Sequence, residues 1–179
     1  AKFADKARKK LGLPEETFYV SGEVRVYFEG KKREKLAAYA EWETRYAEWK
    51  SVNPELARQL ESAQAGERPS AEECLGMIPE FEADAKLATR AAGGKVLQPL
   101  AKELPQLTTG SADLFGSTKN YLENCGDFTR DTPDGRNFRY GIREHAMGAI
   151  TNGITYDGLW ITSGATFLTF SDYMRPSLR

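Results

Sequence analysis

An acidic residue and the chain's only histidine, Glu144 and His145, stand where the sequence changes period. Asn137-Phe138-Arg139-Tyr140 alternates polar with aromatic, which suits a half-buried strand. Ala146, Met147, Ile150 and Ile154 then recur at helical spacing. Gly141 lets the chain turn between the two. Glu144 therefore falls in the first turn of a helix, where the macrodipole favours a carboxylate. A carboxyl group held there in a dry site can exchange a proton with a ligand. It can equally serve the helix dipole or pair with Arg143. His145 has no nucleophile signature such as GxSxG beside it, so its reading is structural.

Two further groups have spacing that suits a ligand. Phe167, Phe170 and Tyr173 recur every third residue and share one helical face. Flat rings in fixed places can stack on a flat ligand, and the same pattern serves core packing. Gly110-Ser111-Ala112-Asp113 ends a predicted strand, where α/β sheets place ligands. Asp113 reads either as a residue that orders such a site or as a turn cap.

The elements that must position these residues follow from the pattern. Residues 1–65 read as helical hairpins: a short basic helix over Asp5–Leu11, an extended stretch at Phe18-Tyr19-Val20, and a helix from Ser21 through Phe28 that Gly30 breaks. A second helix covers Lys31–Lys50, with Leu36, Tyr39, Trp42, Tyr46 and Trp49 as a packing face. Asn53 and Pro54 restart a helix. Gln64–Glu80 is a linker with one helical turn at Ser70–Glu73, and a boundary falls near Phe81. A helix is expected over Ala85–Glu103, started or kinked at Pro99. Strands are expected over Leu104–Ala112, Phe138–Ile142 and Leu159–Ser163. Phe115–Arg136 reads as a polar loop, Glu144–Tyr156 as a helix, and another helix begins at Thr166. This alternation implies an α/β fold with a parallel sheet.

Composition narrows the partners. Net charge is -1, which suggests neither nucleic acid nor anionic membrane. No apolar run reaches the roughly 18 residues of a spanning helix, and no secretory signal is visible. Cys74 and Cys125 form no CxxC motif and read as reduced thiols of a cytoplasmic protein. No local cluster of His, Cys, Asp or Glu has metal spacing.

Four segments together resemble the transketolase family: Ala88-Thr89-Arg90, Gly110-Ser111-Ala112-Asp113-Leu114, Arg143-Glu144-His145-Ala146-Met147, and Thr166-Phe167-Leu168-Thr169-Phe170-Ser171-Asp172-Tyr173. They stand in family order at roughly family spacing. The resemblance implies a helical linker or end of a diphosphate-binding domain over 1–80. It implies the amino-terminal part of a parallel-sheet pyrimidine-binding domain over 81–179.

The cofactor so implied is thiamine diphosphate, whose own aminopyrimidine acts as base when a carboxyl group hydrogen-bonds ring N1′. Glu144 matches that carboxyl group. Phe167, Phe170 and Tyr173 match the aminopyrimidine pocket, and Asp113 a residue that orders it. Arg90 and Ser117 match the pair that holds the phosphate of a sugar substrate, as a bidentate fork and a hydroxyl would. Two departures accompany the match: Thr109 stands where a Gly is often found, and Thr118 where an Asn is common.

The implied reaction is transfer of a two-carbon ketol unit between sugar phosphates, in the pentose phosphate pathway. Dihydroxyacetone synthase is the near alternative, and a non-catalytic partner fragment the distant one. The family's GDG-type motif, which holds diphosphate and a Mg or Ca ion, is absent from this span. The chain alone is therefore expected to be inactive, a fragment completed by a homodimer or by companion chains. No stop signal follows the helix that runs to Arg179, which agrees. His145 and the small residues Ala146, Ala149 and Gly153 are expected at the subunit contact.

Overall fold

The computed structural model describes residues 2–179. Two compact units divide the chain, the first ending at Leu56 and the second running from Ala57 to Arg179.

The first unit is helical. α1 covers Lys2–Lys10. Arg8 then donates to the Glu15 and Glu16 carbonyls at 3.1 and 2.7 Å, which folds the next residues back on it. The extended stretch expected at Phe18 begins instead in a turn, with Phe18 at φ 57°. Ser21 caps α2 as its residue type suggests, accepting from Val24 N at 3.3 Å.

α2 runs unbroken from Gly22 to Val52. The break expected at Gly30 does not occur. A single interior glycine costs only about 1 kcal/mol, and nothing beyond it supplies a new cap. The aromatic face forms a ladder: Tyr39, Trp42, Tyr46 and Trp49 stack in turn with centroids 5.5, 5.1 and 5.8 Å apart. Asn53 closes α2 by donating from Nδ2 to Trp49 O at 2.9 Å.

α3, Pro54–Gln64, opens on its proline. α4, Ala71–Met77, is longer than the single turn expected, and a reciprocal Ser70–Glu73 capping box secures it. That bond to Ser70 holds the Glu73 carboxyl below its ordinary value. α5 spans Thr89–Glu103, four residues shorter at its start than the pattern suggests, and it carries Pro99 inside. Its awkward Gly94 is a packing requirement, because a Cβ there would lie 2.4 Å from Lys119 O.

The sheet is small and wholly parallel, ordered β2-β1-β3. β1 is Leu107–Ser111, β2 Asn137–Arg139 and β3 Ile161–Ala165. β1 and β2 are shorter than expected, and β3 has the expected length but lies two residues later. A short helix, α6 at Phe115–Thr118, interrupts the expected loop. α7 spans Glu144–Asp157 and ends on Gly158 at φ 84°. The helix expected from Thr166 is a 3-10 helix at Leu168–Met174, followed by α8 at Arg175–Leu178.

Two small cores lie on the sheet. Ala101, Leu104, Leu107 and Leu122 form one, and Ala112, Tyr140 and Met147 the other. Polar groups fill the space between strands. Thr109 Oγ1 meets Ser163 Oγ at 2.8 Å, and Asn120 donates to Thr109 Oγ1 and Gly110 O. Asn137, fully buried, accepts from Leu122 N and donates to Leu122 O and Gly126 O. These named groups have partners, as buried polar atoms generally require, whereas the Thr162 hydroxyl on β3 is buried without one.

Candidate functional site

The carboxyl ends of β1 and β2 and the start of α7 meet at one cleft. Three local features build it. Asp113 follows β1 with φ 63°, a left-handed conformation that Asp tolerates, and so lifts the chain away from the sheet. Gly141, at φ 66°, reverses the chain after β2. Arg143 donates from Nε to Tyr140 O at 2.7 Å. It is thereby turned back on the strand and does not pair with Glu144.

Glu144 is the first helical residue of α7 and only 6% exposed. Among the described residues, none donates a hydrogen bond to its carboxylate. The group borders a cleft of about 560 Å³, a size usual for small-molecule sites. Ala112, Asp113 and Leu114 form one wall, Ile142 to His145 the second, and Phe170 with Tyr173 the third. The carboxylate faces the cleft with no protein partner, so a ligand that brings a donor there gains a hydrogen bond.

The aromatic wall owes its shape to the 3-10 helix. Residues three apart eclipse in that helix, so Phe167, Phe170 and Tyr173 align as rungs. Successive centroids are 6.4 and 6.3 Å apart, with ring planes 12° and 19° from parallel. Phe170 and Tyr173 reach the cleft, while Phe167 stacks behind Phe170 and does not border it.

The cleft thus gathers Glu144, Asp113, Phe170 and Tyr173 from the sequence-derived candidates. Arg90, exposed on the first turn of α5, and Ser117, half-buried in α6, lie outside its walls. His145, expected at a subunit contact, borders the cleft, with Nδ1 3.2 Å from Ser177 Oγ. Leu114, Ile142 and Arg143 were not singled out from the sequence. Leu114 and Arg143 stand inside quoted segments and Ile142 beside one, and that placement was the available signal.

Behind the cleft, Tyr140 is buried, and desolvation raises its phenol above the ordinary value. Its hydroxyl closes no hydrogen bond of good geometry, so the weak counter-pull of Thr151 does not offset that burial. Beside it, Arg139 Nε lies 2.6 Å from Asp127 Oδ2. That bond holds the Asp127 carboxyl below its ordinary value and raises Arg139. Arg139 also covers the Phe115 and Tyr121 rings at 5.5 and 5.8 Å. Burial raises the Tyr121 phenol, with Asp127 adding to it. Both cysteines are free thiols. Among the described residues, no group of three His, Cys, Asp or Glu side chains is placed to hold a metal, and no helix is long and apolar enough to cross a membrane.

Residues 85–179 match the family described as transketolase, pyrimidine binding domain, and residues 2–69 match transketolase, thiamine diphosphate binding domain. This chain belongs to the transketolase family. Similar transketolases include that of Dictyostelium discoideum, 56% identical over 99% of this chain and 27% of its own length. That of Aquifex aeolicus is 45% identical over 98% of this chain and 25% of its own length. A crystal structure of Pichia stipitis transketolase in complex with sedoheptulose 7-phosphate superposes with a TM-score of 0.81 at 34% identity, covering 96% of this chain and 26% of that one. Transketolase from Leishmania mexicana gives 0.83 at 31% identity, covering 96% and 25%. The chain therefore spans about a quarter of the transketolases it matches. The sheet and the helices from α5 onward lie within the pyrimidine-binding match, and α1, α2 and α3 within the thiamine diphosphate-binding match.

Proposed function

We propose that this chain contributes the aminopyrimidine pocket of a transketolase-type transferase that moves two-carbon ketol units between sugar phosphates. The observation that carries the reading is Glu144, buried, unpartnered and bordering a cleft walled by two parallel rings. That donor set fits the cofactor. The carboxyl group offers one hydrogen bond of fixed direction, and the rings offer a face for a flat heterocycle.

When bound, thiamine diphosphate supplies the nucleophilic carbon for ketol transfer. Glu144 holds or moves a proton at its carboxyl oxygen. Phe170 and Tyr173 orient the ring, and Phe167 backs Phe170. Asp113 orders the rim opposite. Arg90 and Ser117, on elements that pack together, form the substrate-phosphate contact. A Mg or Ca ion belongs with residues of the diphosphate-binding part that this chain does not contain. The stripe of half-buried Ala146 with exposed Ala149 and Gly153 on α7 suits a homodimer contact, where small residues allow close approach. The proposed boundary near Phe81 is supported by its position in the stretch 70–84, which neither matched range covers. Residues before it still tie to the α/β unit, since Arg68 donates to Gly158 O at 2.7 Å. The setting is the cytoplasm, and the chain by itself is inactive.

The test is Glu144→Gln in the complete enzyme. Turnover is expected to fall at least about 10²-fold, as for loss of a general acid–base group. Exchange of the cofactor's C2 proton, followed by NMR, should slow in parallel. Unchanged exchange would return Glu144 to a structural role. For Arg90→Ala, KM is expected to rise roughly 10–150-fold for phosphorylated sugars and to stay unchanged for unphosphorylated ones. Equal losses for both would remove Arg90 from the substrate site.

A further inference from the structure

One turn along α7 from Glu144 lies Gly148, which is buried. Residues four apart stand one above the other on a helix face. The face that presents Glu144 to the cleft therefore also carries Gly148. A methyl group there would stand 2.8 Å from Ser177 Cβ and 3.1 Å from Met174 Cε. The bare glycine is thus the seat on which the end of the 3-10 helix and the start of α8 rest.

Hydrogen bonds close around that seat. Ser177 Oγ lies 3.2 Å from both His145 O and His145 Nδ1. Its one proton goes to the carbonyl, so Oγ accepts from Nδ1–H. Asn152 Nδ2 donates to Ser177 O at 2.8 Å. Met174 packs against the cluster of Ala112, Tyr140 and Met147. α8 has only four residues, too few to hold a helix by local bonding, so these contacts fix it. Phe170 and Tyr173 lie in the 3-10 helix that leads directly into it.

We infer that Gly148 is a positioning residue: its missing side chain sets how closely the Phe170 and Tyr173 rungs stand to the Glu144 carboxylate, with Ser177 as the latch. This rests on the reading of the cleft as the aminopyrimidine pocket. An alanine at 148 forces Ser177 and Met174 away from α7. The rungs move with them, while Glu144 stays with the α7 backbone. Pocket width changes and the carboxylate does not.

The experiment uses the complete enzyme carrying Gly148→Ala. Thiamine diphosphate affinity, measured by calorimetry, is expected to weaken roughly tenfold, the effect of misplacing one good contact. Inorganic pyrophosphate, a probe of the diphosphate part alone, is expected to bind as in the parent. The thermal midpoint of the cofactor-free enzyme is expected to fall only slightly, because the gain in helix propensity offsets part of the overpacking. Parent-like affinity in Gly148→Ala overturns the inference, as does an equal loss for pyrophosphate.

Should Gly148→Ala fail to fold, Ser177→Ala decides. It removes the hydroxyl and adds no atoms, so weaker thiamine diphosphate binding supports the latch and unchanged binding overturns it. The two readings separate cleanly. If Glu144→Gln slows C2 exchange while both latch variants bind normally, only the latch fails. If Glu144→Gln changes nothing while Gly148→Ala still weakens binding, the proton-handling role fails and the latch stands.

Discussion

α2 has 31 residues and buries none of them, whereas β1 has five and buries all five. Side-chain type would suggest the reverse. α2 carries Trp42, Trp49 and a run of Tyr and Phe, while β1 reads Leu-Thr-Thr-Gly-Ser. The difference lies in where each finds its partners. α2 is held from within, by the Ser21 cap, by ring stacking at helical spacing and by ion pairs such as Lys31–Glu34 at 2.7 Å. β1 is held by strands far away in sequence, Ser111 Oγ reaching Ala165 O across 54 residues. Burial here follows topology, and hydrophobic content alone is a poor guide to it.

Substitutions that remove packing should therefore act strongly around β1 and weakly along α2. Met147 is fully buried against the sheet, with Gly164 left bare to admit it. Met147→Ala is expected to lower stability by about 2–5 kcal/mol, read as a fall in the urea midpoint of the second unit. A loss below about 1 kcal/mol would mean that the sheet region repacks freely, and the contrast with α2 would collapse.

The same substitution should have opposite signs at two glycines. A Cβ on Gly110, in β1, would stand 2.0 Å from the Tyr140 ring, and one on Gly30, in α2, meets nothing within 4 Å. Gly110→Ala is expected to destabilise by about 1–3 kcal/mol through overpacking. Gly30→Ala should stabilise by about 0.5–1 kcal/mol, seen as a higher thermal midpoint for helix loss by circular dichroism. A destabilising Gly30→Ala would show that α2 is packed more tightly than its exposure indicates.

Acid should produce the smallest effect. Unfolded Asp127 takes up its proton near about pH 3.9, and the folded group, bonded to Arg139, holds out to lower pH. In that window the unfolded chain binds more protons, so stability falls as pH drops from about 4 through the folded value. The pair is partly exposed, which limits its share to less than about 1 kcal/mol. Asp127→Asn should flatten the pH dependence of the urea midpoint by that amount, and an unaltered profile would remove the pair from the account.

How far the pattern can be read depends on whether the determinant is local. The alternation of helix and strand, the Ser21 cap and the place of Glu144 at a helix start all rest on near neighbours, and all were legible. Gly30 misleads because a glycine stops a helix only where the chain beyond it has a reason to turn. Phe167, Phe170 and Tyr173 have the right spacing, but the tightening from α to 3-10 that aligns them depends on where α8 docks. The buried network of Asn120, Asn137 and Thr109 leaves no trace in the string, since each side chain is satisfied by a partner many residues away. Gly148 is invisible for the same reason.

The central place of β1 has a consequence for synthesis. It is the middle strand yet the first of the three to be made, and its register with β3 closes over 54 residues. At roughly 5–20 residues per second, the ribosome leaves β1 with an open edge for several seconds. A strand rich in valine or isoleucine, waiting that long, would recruit other nascent chains. The hydroxyls of Thr108, Thr109 and Ser111, which later pair within the sheet, keep that edge wet in the meantime.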